Sequence, residues 1–277
     1  MSQKLTNKTY KALTGSINWN KMHFVESRGA WLYNLLQARY IEMINEIAII
    51  VNSHKSTPVK ILDIGCFPGA FGIILKKYFG NKIVLDGVGL GLSKEFRKEI
   101  SGMSTYSNLY EVELDPENLQ NKNDSIPTSL PLTKNEYYNV IIAGEVIEHL
   151  YSPIHFIKEC HKYLTKEGVL LLTTPNISYF GNICRLIIGK TIHQTLENSH
   201  IFMRDDWRPH IRIYDKFELN KLFSDNGFKF VKVEFIDNKE DLREKLPFMI
   251  RLKMGLIRLF FLIPHFRNQY IGILKKN

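Results

Sequence analysis

Lys60-Ile-Leu-Asp-Ile-Gly-Cys-Phe-Pro-Gly-Ala-Phe-Gly72 reads as the end of a strand, a turn and the opening of a helix. Residues suited to a buried strand run into one acid, Asp63. Gly65, Pro68 and Gly69 punctuate the turn, and an apolar helix-like run follows from Phe71 to Phe79. Glycines let the backbone approach a ligand with no Cβ in the way. A helix N-terminus adds unpaired N–H groups and the positive end of its dipole. Together these make a nucleotide-type cofactor site, with a glycine turn used only for packing as the plainer alternative. A second stretch, Tyr137-Tyr-Asn-Val-Ile-Ile-Ala-Gly-Glu-Val-Ile-Glu-His-Leu150, strengthens the cofactor reading.

Outward from these motifs, strands are expected at 60–63, within 82–90, and at 109–114, 140–143, 169–173, 228–235 and 270–274. Helices are expected from about 70, after the capping residue Ser93, at 153–164 with Pro153 at its first position, and at 216–226 before Gly227. Trp31, Leu35, Ile41, Ile44 and Ile47 recur at helical spacing, which predicts an N-terminal helical cap over 1–57. The remainder, 58–277, reads as one domain with insertions at about 182–212 and 237–268. Strands alternating with helices predict an α/β fold, a doubly wound, mostly parallel sheet. Ligands of such sheets bind beyond the carboxyl ends of the strands. The turn after Asp63, the acid Asp115 and the pair Gly144-Glu145 all fall at such ends.

Composition limits the function classes. The chain has 277 residues, is 44% hydrophobic and carries a net charge of +9. That supports a sizeable core and excludes a disordered chain. The charge favours anionic partners such as nucleic acid, a phospholipid surface or a phosphorylated substrate, or serves solubility alone. Cys66, Cys160 and Cys184 show neither metal spacing nor a disulfide framework, so a cytoplasmic location is expected. The first residues lack the apolar core of a signal peptide.

The motifs taken together resemble the class I S-adenosylmethionine-dependent methyltransferases, over roughly 59–235 with a closing strand near Tyr270. Asp63-Ile-Gly65-Cys-Phe-Pro-Gly69 looks like that family's first motif, and Asn139 to Leu150 its fourth-strand motif. Lys162 to Asn176 resembles the fifth-strand region, and Arg212 to Phe223 with Asn226-Gly-Phe228 the following helix and strand. The resemblance implies a seven-stranded Rossmann-like sheet and S-adenosylmethionine as cofactor. It places Asp63 near the methionine amino group, with the backbone of Gly65, Cys66 and Gly69 against methionine and ribose. Asp115 would face the adenine, and Gly144 would line the methionine end. Asp63 as a turn-capping residue is the structural alternative.

Two departures stand out. Phe67 replaces a usual glycine and is expected to wall the pocket. In strand two, either Gly89, followed by Leu90, takes the place of the ribose-binding acid, or Asp86 is that acid; the first register is preferred. A nicotinamide-dinucleotide fold is the competing cofactor reading, but it wants an intact glycine fingerprint and a ribose acid soon after.

Glu145, Glu148 and His149 stand at i, i+3 and i+4 and share one face if they open a helix. Two carboxylates and an imidazole suit a divalent ion such as magnesium. The string resembles the Glu-x-x-Glu-His signature of metal-dependent O-methyltransferases, including ubiquinone-biosynthesis and small-RNA 2′-O-methyltransferases, with His210 where the RNA enzymes place a later histidine. Glu145, Glu148, His149 and His210 are therefore candidate metal ligands. Glu148, His149 and His210 are candidate catalytic groups, with His149 as a metal-free general base the alternative. A helix turn that merely favours acids is the structural reading.

The first insertion, with His193, His200, Phe202, Trp207 and His210, reads as a substrate lid. The second holds a very apolar run, 246–264, with Arg251, Lys253 and Arg258 embedded; it suits an anionic membrane surface, a homodimer face or sheet cover. The expected activity is methyl transfer to a hydroxyl-bearing acceptor, a sugar of a glycan or glycolipid precursor, as in bacterial surface-polysaccharide pathways the chain resembles. The expected place is the cytoplasm, peripheral to the membrane's inner face. RNA 2′-O-methylation is the second enzymatic reading, with nucleic acid the less favoured partner because no basic run interleaved with aromatics stands out. A catalytically inactive partner-binding protein of the same fold is the third.

Overall fold

The structure, a computed structural model, describes residues 4–19, 33, 36–54, 58–115, 126–133, 135, 137–193, 209–237 and 262–277. Trp31, Leu35, His200, Phe202, Trp207, Arg251, Lys253 and Arg258, on which several expectations rest, lie outside the described residues.

Seven strands form one sheet: β1 (Val59–Ile64), β2 (Ile83–Gly89), β3 (Asn108–Glu111), β4 (Tyr138–Gly144), β5 (Leu164–Pro175), β6 (Phe228–Ile236) and β7 (Gln269–Lys276). Their order is β3-β2-β1-β4-β5-β7-β6. The first five pair in parallel, and β7 lies antiparallel between β5 and β6. The order reverses between β1 and β4, where Ile61 pairs with Val140. A crevice opens at such a switch point. Both strands are covered on both faces, so they read as nearly unbroken apolar runs rather than alternating ones.

The described helices are α1 (Asn7–Gly15), α2 (Gln37–Ser53), α3 (Ala70–Phe79), α4 (Lys94–Gly102), α5 (Pro153–Tyr163), α6 (Phe180–Ile187) and α7 (Lys216–Ser224). Ser93 caps α4 through the Phe96 N–H, and Asp215 caps α7 through the Glu218 N–H. One core cluster joins Tyr10, Ile44 and Ile47 of the cap to Ile61, Ile73, Leu85 and Phe96. The other joins Leu62, Ile141, Phe156, Leu170 and Phe223 on the opposite face. The cap therefore shares the core of the sheet. Ile44 and Ile47 are fully buried, each worth about 1.5–3 kcal/mol, and Ile44→Ala would cost roughly 2–5 kcal/mol.

The expected architecture holds, with shifted boundaries. In the cap, α2 starts at Gln37 and carries Ile41, Ile44 and Ile47 of the expected recurrence, and α1 was not anticipated; a capping box between Thr6 and Thr9 starts it. β5 begins directly after α5 and is longer than expected. β3 stops at Glu111, and α6 rises within the first insertion.

Candidate functional site

The crevice is built from the turn after β1, the ends of β2 and β3, and the segment after β4. In the first turn Gly65 and Gly69 have φ of 75° and 93°, a left-handed backbone that L side chains rarely adopt. The N–H groups of Gly65 and Cys66 both donate to the Val88 carbonyl, at 2.9 and 3.0 Å, tying the turn to β2. A Cβ on Gly65 would lie 2.9 Å from Val146, and one on Gly69 would lie 2.7 Å from Ile100. The space those glycines save is thus taken by protein side chains, not by room for a ligand. Their φ values are what shape the turn.

Asp63 ends β1 buried. Its Oδ2 accepts the Tyr106 hydroxyl at 2.7 Å, and burial pushes its carboxyl up to about 7 against that bond. Cys66 is buried beside Gly87 and Gly89, and burial raises its thiol well above the ordinary range. Only its backbone can serve a ligand from that position. Phe67 is half-buried and packs on Phe96 of α4, with ring centroids 5.3 Å apart.

The two registers of strand two are now distinguished. Asp86 lies in mid-strand, buried, accepting Asn108 Nδ2 at 2.9 Å and the Tyr138 hydroxyl at 3.0 Å. Gly89 is the last residue of β2, with half-buried Leu90 after it. Glu111, which sequence reasoning missed, pairs in register with Gly89 from β3. Its Oε1 accepts the Gly91 N–H at 3.0 Å and its Oε2 meets Arg97 at 3.5 Å. A carboxylate therefore stands at the end of β2 although β2 supplies none.

Asp115, expected to face the adenine, is engaged with the protein backbone. Asp115 is wholly buried, and its two oxygens accept the Tyr151 and Ser152 N–H groups, each at 2.8 Å. It caps the approach to α5. The acid after β3 falls in line with the mouth of that helix, which carries unpaired N–H groups.

Glu145, Glu148 and His149 do not share a helix face either. Among the described residues this segment makes only a short 3-10 turn, Ile147–His149, and the next helix starts at Pro153. Glu145 has φ 57°, which turns it the other way. Thr173 Oγ1 and Gln269 Nε2 donate to its carboxylate at 3.0 Å each, and Arg39 of α2 stands 3.3 Å away. Glu145 is thereby withdrawn from the expected metal set and locks β4, β5, β7 and the cap together. Gly144, at the end of β4, sits between Met43 and Thr173.

Glu148, His149 and His210 do meet: one ligand atom from each lies within 4.8 Å of the others. The Glu148 carbonyl accepts the Ile211 and Arg212 N–H groups at 2.8 and 3.2 Å, which fixes the segment carrying His210. His149 Nδ1 lies 3.2 Å from the Pro209 carbonyl, which can only accept, so Nδ1 carries a proton and Nε2 faces the cluster. Nε2 is 4.0 Å from Glu148 Oε1, and the two imidazoles stand edge to face. Glu148 is fully buried; Thr174 Oγ1 donates to Oε2 at 3.0 Å, while Oε1 accepts nothing from the described residues. Burial, then the Glu145 charge, push its carboxyl far up. His210 falls to about 4, through burial and then the imidazoles of His149 and His193, and is neutral near pH 7. A buried carboxyl with one oxygen lacking a hydrogen-bond partner among the described residues, beside two imidazoles, is a donor set that fits a divalent cation or a proton relay.

Comparison with known proteins accords with this geometry. The family described as methyltransferase domain matches residues 35–233. A search of curated proteins finds no match. Among solved structures, a SAM-dependent methyltransferase from Archaeoglobus fulgidus is 17% identical with a TM-score of 0.50, covering 87% of this chain and 97% of its own. An S-adenosylmethionine-dependent methyltransferase from Mesorhizobium loti is 12% identical with a TM-score of 0.51, covering 84% of this chain and 98% of its own. At these identities the likeness is one of fold.

Proposed function

The chain belongs to the methyltransferase-domain family, as an S-adenosylmethionine-dependent methyltransferase, and from that membership we propose that it methylates a hydroxyl oxygen. The observation that carries this reading is the convergence of Glu148, His149 and His210. A hydroxyl, unlike an amine, must lose its proton to become a good nucleophile, and this cluster is built to take one.

The residues fit the cofactor. The left-handed turn after β1 leads into the N-terminus of α3, which has no side-chain cap, Phe67 and Leu90 supply apolar walls, and Asp63 is the strand-end acid that would meet the methionine ammonium. In place of an acid on β2, Glu111 would take the ribose hydroxyls from β3. Bound there, S-adenosylmethionine supplies an electrophilic methyl on sulfur.

A divalent ion, magnesium in the simplest case, would be held by Glu148, His149 and His210 without Glu145, and would acidify a hydroxyl brought beside it. The Pro209 carbonyl fixes the His149 tautomer as such sites require. A metal-free reading is favoured by the same contact: His149 Nε2 takes the acceptor proton directly while Glu148, protonated, holds its own. His210 would then pack against the base and stay neutral.

The acceptor is a sugar hydroxyl of a glycan or glycolipid precursor. Its support is the basic character of the chain and the resemblance to surface-polysaccharide methyltransferases. RNA 2′-O-methylation is the second reading, favoured by His210 meeting His149. Incubation with isotope-labelled S-adenosylmethionine and panels of glycan precursors, short RNAs and amines, read by mass spectrometry, tests both. Label on a sugar oxygen supports the proposal. Label on RNA alone transfers it to the second reading, and label on nitrogen alone overturns hydroxyl chemistry.

A further inference from the structure

Helix α6 leaves the carboxyl end of β5 and ends in an exposed aliphatic run. Leu186, Ile187 and Ile188 are 58%, 78% and 65% exposed, and Gly189, with φ 71°, stops the helix behind them. Beside its start lies the segment entering β7, where Leu262 and Ile263 are 75% and 47% exposed. Two contacts hold the segments together. Phe180 meets Phe266 with ring centroids 5.8 Å apart. Buried Asn176, just past β5, donates through Nδ2 to the His265 and Arg267 carbonyls at 2.7 and 2.8 Å.

The charge of this rim is one-sided. Arg185, Lys190 and Arg267 flank the aliphatics, and residues 177–193 and 262–268 contain no Asp or Glu. The sequence leading into Leu262 has the same character, with no acid from 246 onward. Two segments that each expose aliphatics and carry only cations among their own charged residues do not suit a soluble monomer. A self-complementary dimer face would set these cations against one another. An anionic bilayer meets both needs: aliphatics enter the acyl boundary and each nearby Lys or Arg gains from the surface potential. No described helix is long and apolar enough to cross a membrane, so the contact is peripheral.

We propose that α6 and the turn 262–267, beyond the carboxyl end of β5, form a docking surface for an anionic lipid bilayer. None of its residues belongs to the Glu148, His149 and His210 cluster, so docking and turnover can be read separately.

The test is sedimentation of the full chain with phosphatidylglycerol–phosphatidylcholine vesicles and with phosphatidylcholine alone. The expected result is partition onto the anionic vesicles only, weakened by added salt. Ile187→Glu with Ile188→Glu, and separately Arg185→Gln with Lys190→Gln, should each weaken partition at least tenfold with unchanged circular dichroism. The second pair, at exposed polar positions, decides alone if the first fails to fold. Equal partition of wild type and the folded variants, or a wild type that stays in the supernatant, overturns the proposal. So does a change from dimer to monomer in the variants without vesicle binding, which assigns the surface to a second copy. The vesicles carry no acceptor, so failure here leaves the hydroxyl chemistry untouched.

Discussion

The Tyr106 hydroxyl donates to Asp63 at 2.7 Å inside the core, on the side of the sheet that also carries the cofactor turn. The contact is tight on both sides: a Cβ at Gly72 would reach 2.1 Å from that hydroxyl. Burial raises the Asp63 carboxyl from 3.8 to about 7. The folded protein therefore binds this proton more tightly than the unfolded chain. Stability from this group is full below pH 4 and is lost as pH rises toward 7, by up to roughly 4 kcal/mol. His210 works in the opposite sense, because its folded value falls from 6.5 to about 4, and its share is lost as pH falls through that window. Urea unfolding from pH 4 to 7 should show Asp63→Asn becoming relatively more stable than wild type as pH rises. A constant difference across that range would show that Asp63 is ionised in the fold.

Asp115 offers a separate test of structure against cofactor. Its carboxylate holds two backbone N–H groups ahead of α5. Asp115→Ala should cost on the order of 2–3 kcal/mol in thermal or urea unfolding. Affinity for S-adenosylhomocysteine, measured by calorimetry well below the melting point, should change less than threefold. A tenfold loss of affinity with unchanged melting would return Asp115 to the adenine.

The same residue shows how far the sequence could be read. Asp63 and Gly144 near their strand ends, and Gly65 and Gly69 in the turn, are legible in the sequence because period and glycine position are local signals. The direction of an acid's side chain is not local. Asp115 and Glu145 look like ligands in the sequence, yet one serves the backbone of Tyr151 and Ser152. The other serves Arg39, Thr173 and Gln269, partners distant along the chain. A helical i, i+4 argument also needs a helix, and a left-handed residue at Glu145 removes it. Glu111 carried no signal at all, since its place depends on how β3 registers against β2.

Glu111 gives the third prediction. With Gly89 at the end of β2, the neighbouring strand holds the nearest carboxylate, fixed by Gly91 and Arg97. Glu111→Gln keeps the shape and removes the charge. It should weaken S-adenosylhomocysteine binding at least fivefold, about 1 kcal/mol, and should affect methylthioadenosine equally, since both carry the ribose. Loss confined to S-adenosylhomocysteine would place Glu111 at the amino-acid end, and no loss would remove it from the cofactor.

The fourth prediction turns on Glu148, whose buried Oε1 is the group the two activation mechanisms treat differently. As a metal ligand it must be ionised when the ion is bound, because a divalent charge offsets the burial that otherwise favours the neutral acid. Glu148→Gln would then abolish turnover, as would chelator, and His149→Ala and His210→Ala would give similar losses. Cofactor affinity should stay within about threefold throughout, since other strand ends hold the cofactor. As a protonated neighbour of a metal-free base, Glu148 is already close to an amide in shape and charge. Glu148→Gln would then keep most of the rate, chelator would do nothing, and His149→Ala would be far more damaging than His210→Ala. Burial and Glu145 push the Glu148 carboxyl up, so holding a divalent ion would require it to give up its proton. Metal-supported turnover should therefore fall steeply with acid, while a single His149 ionisation would give one shallow step. Rates unchanged in both histidine variants would leave methyl transfer to positioning alone.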